Sequence, residues 1–92
     1  MKIRVTINQK PIQFDEILEA DSDEALFRKL RETAAARAPF LVRMAMKSLS
    51  DNAIRQQIVE RYNQKFGKSE PIPTSATEFL AFGERAGFVQ RL

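Results

Sequence analysis

Lys2-Ile3-Arg4-Val5-Thr6-Ile7 alternates polar or charged residues with β-branched apolar ones, and the reading of this stretch decides the fold. Successive side chains of a strand point to opposite faces, so Ile3, Val5 and Ile7 share a buried face and Lys2, Arg4 and Thr6 a wet one. Asn8-Gln9-Lys10-Pro11 reads as a turn, because Asn tolerates the left-handed backbone that tight hairpins use. Ile12 and Phe14 then restart the alternation against Gln13 and Asp15. The pattern slips at Glu16-Ile17-Leu18, where two apolar residues adjoin. A bulge, or a strand continuing to about Ala20, accounts for the slip. The N-terminus is therefore expected to be a β-hairpin.

Outward from the hairpin the period changes to that of helices. Asp21-Ser22-Asp23-Glu24 opens the first, with Asp21 as the expected cap and acids at the positive end of the helix dipole. Leu26, Phe27, Leu30, Thr33 and Ala34 form its apolar face, and Arg28, Arg31 and Glu32 lie opposite. Pro39 ends or kinks this helix and suits the first turn of the next. Residues 40–49 are apolar nearly all round, with only Arg43, Lys47 and Ser48 polar. Such a helix is either central to a core or covered by another chain.

Ser50 is the expected cap of a third helix over about residues 51–66, stopped by Gly67. Its apolar face is Ile58, Val59, Tyr62 and Phe66, with Ile54 at the edge. Ser75-Ala76-Thr77-Glu78 has the form of a capping box for a short fourth helix ending at Gly87. Residues 88–92 are expected to add a third strand, with Phe79 and Phe88 closing the core. The order of elements predicts one α+β domain over residues 1–92, an N-terminal hairpin and three to four helices beside a small sheet.

At 92 residues the chain makes one domain with a thin core, so a partner or a second copy adds meaningful stability. It contains neither Cys nor His. Disulfides, thiolate chemistry, zinc and the usual proton carrier near neutral pH are thereby excluded, and no cofactor or small-molecule substrate is evident. The cysteine count, the absence of a signal peptide and the lack of a long apolar run lead to the expectation of a cytoplasmic protein with no membrane contact. Charge is segregated. Residues 11–24 carry six acids and no base, whereas residues 25–68 carry ten bases and three acids.

Three candidate surfaces follow. Phe40, Met44 and Met46, joined by Phe82 if it is exposed, are candidates for a protein contact, because Met and aromatic side chains recur at binding faces. Arg43 and Lys47, with Arg61, Lys65 and Lys68 at i, i+4 and i+7, form a candidate phosphate-tracking face. No helix-turn-helix, RNA-recognition or zinc-finger signature accompanies them. The acidic run is read as a solvated strand face and helix cap rather than a metal site. Arg55 and Arg37 fall on apolar stripes, so each either lays its stem along apolar surface with its head in water or pairs with a carboxylate of the acidic segment or of a second subunit.

The leading expectation is a small non-catalytic interaction or regulatory module that associates with itself, as a homodimer, or with another protein. The alternatives are a nucleic-acid-binding protein using the basic helical face and a small accessory subunit of an enzyme.

Overall fold

A computed structural model describes residues 1–9 and 12–92. The chain runs β1 (Lys2–Gln9), β2 (Ile12–Glu19), α1 (Asp23–Arg37), α2 (Phe40–Lys47), α3 (Asp51–Phe66), α4 (Ala76–Ala86) and β3 (Val89–Arg91). The sheet is antiparallel in the order β2-β1-β3. This is the α+β architecture read from the alternation of residues 2–7. Of the expected turn, Asn8 and Gln9 belong to β1, and residues 10 and 11 lie outside the described residues.

The slip at Glu16-Ile17-Leu18 is resolved without a bulge. Ile3 opposes Leu18, Arg4 opposes Ile17 and Val5 opposes Glu16 in unbroken register. Phe14 and Leu18 are buried, Ile17 is exposed, and Glu16 lies among the core-facing positions. Glu16 keeps that place because Arg37, at the end of α1, forms an ion pair with it. The pairing of Arg37 with the acidic segment is thus met.

Helix ends follow their caps. Ser22, not Asp21, caps α1, its hydroxyl accepting from the Ala25 amide at 3.2 Å. Ser50 accepts from Ala53 at 3.1 Å and Ser75 from Glu78 at 3.1 Å. The second half of the capping box at Ser75 is replaced, since the Glu78 carboxylate accepts instead from the Thr74 hydroxyl at 2.8 Å. Gly67 and Gly87 end α3 and α4 at φ 62° and 92°, left-handed backbone that a side chain disfavours.

The core gathers Ile3 and Val5 of β1, Leu26, Phe27 and Leu30 of α1, Ile54 and Val59 of α3, and Phe79, Leu80 and Phe82 of α4. Phe27 meets Phe79 edge-on at 5.2 Å, and Tyr62 meets Phe82 edge-on at 5.1 Å. Ile54 is therefore a core residue rather than an edge one, and Phe66 is largely exposed. Helix α2 has no buried residue at all, which removes the reading that it sits at the centre of the core. Among the described residues no helix is long and apolar enough to cross a membrane.

Candidate functional site: an open apolar groove with a basic rim

The α2–α3 hairpin is pinned at its turn. Arg31, on the face of α1 read as solvated, donates to Asp51 Oδ1 at 2.5 Å and to the carbonyls of Met46 at 2.8 Å and Leu49 at 2.5 Å. These carbonyls lie at the α2–α3 turn, where that of Met46 also accepts from the Leu49 amide at 3.2 Å, and a charged donor bonds them strongly. At the far end of α3, the Asn63 side chain clamps Glu70 through both its amide nitrogen and its oxygen, each at 3.0 Å. Between these fixed ends α3 stands off from the open end of the sheet.

The gap is a groove of about 1030 Å³. One wall is Ile58 and Tyr62 of α3, and Phe79 and Phe82 lie buried beneath the groove with half-buried Phe88 beside them. Val42 and Met46 of α2 and Ile7 and Ile12 of the hairpin complete the apolar lining. Small-molecule and peptide sites share this character, concave and mostly apolar with a few polar groups at the margin.

Arg61, Lys65 and Lys68 line the same groove at its α3 wall. None of the three pairs with a carboxylate among the described residues. The Lys65 ammonium instead donates to Gln9 Oε1 at 2.5 Å, joining α3 to the end of β1, and lies 5.5 Å from the Phe66 ring centroid.

The expected basic face is accordingly divided. Arg61, Lys65 and Lys68 stay together. Arg43 is turned onto the end of α1, where it donates to the carbonyls of Ala35 at 3.2 Å and Ala38 at 3.3 Å. Lys47 is exposed and outside the groove lining.

The expected contact residues divide as well. Phe40 and Met44 are 67% and 51% exposed, with Leu41 beside them at 80%. On the helical wheel these three lie opposite Val42 and Met46, so α2 has an outer apolar face and an inner one. Met46 is half-buried and faces the groove. Phe82 is only 1% exposed, which corrects its candidacy as an exposed aromatic. It packs against Tyr62, Phe79 and Phe88 and lies in the core beneath the groove.

Arg55 follows neither reading made of it. It is 7% exposed, its Nε and Nη1 have no hydrogen-bond partner among the described residues, and its guanidinium lies over Phe27. The acidic run is dispersed. Asp15 bonds Arg4 on the outer face of the sheet, and Asp23 accepts from Thr77 and Arg91. Among the described residues no group of three or more acids lies together in a metal-holding arrangement.

The groove was missed from sequence, although both its parts were visible. Ile54, Ile58 and Tyr62 recur at i, i+4 and i+8 beside Arg61, Lys65 and Lys68. The apolar stripe alone reads as core, and nothing local says that the facing wall stands too far off to fill it. The chain matches no protein-family model, no curated protein and no solved structure.

Proposed function

We propose that this domain is a non-catalytic interaction module whose working surface is the groove along α3. One observation carries the reading: an apolar hollow of about 1030 Å³ is left open beside a core that a chain this short can ill spare. Apolar surface left to water forgoes roughly 25 cal/mol per Å², so an occupant gains by covering it. The unpaired rim bases add direction and charge preference to that gain.

An anionic naphthalene-sulfonate dye tests the reading, since it is apolar with one negative charge. The native protein is expected to bind one dye with a rise in fluorescence, and amide shifts are expected at Ile58, Tyr62 and Phe88. Ile58→Trp places a bulky indole in the middle of the groove and is expected to block dye binding while keeping a sharp thermal transition. A folded wild type that leaves the dye dark has no usable groove, and the reading fails.

A second reading, self-association, rests on the outer face of α2, where Phe40, Leu41 and Met44 are exposed together. Monomeric proteins seldom leave clustered large apolar side chains uncovered.

A further inference from the structure

We infer that the occupant of the groove is an amphipathic helix of another protein, about 10 residues long and acidic at the end that lies beside Arg61, Lys65 and Lys68. This rests on the groove being the working surface. Three observations carry it further, to the kind of occupant.

The first is length. The accessible α3 wall extends from Gln57 to Phe66, and at 1.5 Å rise per residue that is about 14 Å, or two and a half helical turns. A trough of this length, walled on one side by a helix, accommodates a second helix laid along it once Lys65 leaves Gln9, with apolar anchors at i, i+3, i+4 and i+7. A compact small molecule would leave much of it uncovered.

The second is charge. The bases lining the groove are Arg61, Lys65 and Lys68, all toward the C-terminal end of α3 and none neutralised by a carboxylate among the described residues. Toward Ile54 the polar lining residue of α3 is Gln57, which is neutral. Complementarity therefore asks for carboxylates at one end of the guest and not along its whole length.

The third is that the described residues offer no such helix. The apolar faces of α1 and α4 are buried in the core. Helix α2 has an uncovered apolar face, but its charges are Arg43 and Lys47 and it has no acid, so it would meet the rim with like charge.

The experiment titrates the full chain with two synthetic 14-residue amphipathic helices, a length of about four turns. They share Leu and Ile anchors and differ only in having three Glu or three Lys at one end. Calorimetry is run at low and high salt. The Glu peptide is expected to bind one to one, on the order of tenfold or more tighter than the Lys peptide, with the preference shrinking in high salt. Arg61→Glu/Lys65→Glu/Lys68→Glu is expected to reverse the preference, with amide shifts still confined to the groove.

Dye binding in the groove without preference for the Glu peptide overturns the acidic-helix inference and leaves the groove reading standing. Loss of both dye and peptide binding overturns both. A doubled mass abolished by Ile58→Trp makes a second copy the occupant, and tighter one-to-one binding of a long-chain carboxylate makes it a small amphiphile. Either result overturns the inference.

Discussion

The Arg55 guanidinium lies 4.9 Å from the centre of the Phe27 ring, and its Nε and Nη1 have no hydrogen-bond partner among the described residues. A cation over an aromatic face is stabilised by about 0.5–2 kcal/mol, less than the several kcal/mol lost when an ion leaves water without a counter-charge. Arg55→Met keeps the apolar stem and removes the charge. It is expected to stabilise the fold by about 1–2 kcal/mol, read as a higher urea midpoint at unchanged m-value. A drop in stability would mean that the Phe27 contact outweighs desolvation.

Gly83 is where α4 meets β3. A Cβ there would lie 2.5 Å from Val89 Cγ2 and 3.1 Å from the Phe88 ring. Alanine is the better helix former by about 1 kcal/mol, but Val89 is buried in register opposite Val5 and has little freedom to retreat. Gly83→Ala is expected to destabilise by about 1–3 kcal/mol and to speed amide exchange in β3. Unchanged exchange at Val89 and Gln90 would show that the strand yields easily.

Asp23 ties three elements together, accepting from the Thr77 hydroxyl at 2.8 Å and from Arg91 Nη1 at 3.2 Å. Burial raises its pKa, but those two hydrogen bonds and the Arg91 charge together hold it below the ordinary 3.8. Arg91 is itself raised, first by its bond to Glu84 and then by Asp23. The folded state therefore binds the Asp23 proton less readily than the unfolded chain. Its contribution is present above about pH 4 and fades as the pH falls through the lowered value. Asp23→Asn is expected to be the less stable protein at pH 7 and to approach the wild type once the pH falls below the lowered value, seen in urea midpoints from neutral to acid pH. A constant gap between the two would place the effect in packing.

The fold was legible because each element carries its own local signature. The alternation of Ile3, Val5 and Ile7, the Ser caps at 50 and 75, and the glycines at 67 and 87 depend only on near neighbours. The candidate site was not legible, because it consists of a distance between elements. Arg31 and Arg43 lie on helices where a base normally faces water, yet both bond carbonyls of a neighbouring helix end. Their partners are 5 to 18 residues away, and no spacing rule marks them. The slip at Glu16-Ile17 was visible, but its resolution required Arg37 to be known as the partner of Glu16.

Self-association through α2 is separable from the groove, because Phe40, Leu41 and Met44 point away from Val42 and Met46. Substituting such exposed residues shifts stability by no more than about 0.5 kcal/mol. Phe40→Ser/Leu41→Lys/Met44→Gln is thus expected to melt like the wild type. If α2 mediates contact between copies, light scattering gives a dimer mass for the wild type and a monomer mass for the triple variant. Ile58→Trp would leave the dimer intact, since it changes only the groove. A wild type that stays monomeric at high protein concentration removes the α2 contact and leaves the groove reading untouched. Absorbance at 260 nm serves as a control, because the chain has no Trp and only Tyr62. A 260 nm signal that travels with the protein and leaves in high salt would give the rim bases to nucleic acid instead.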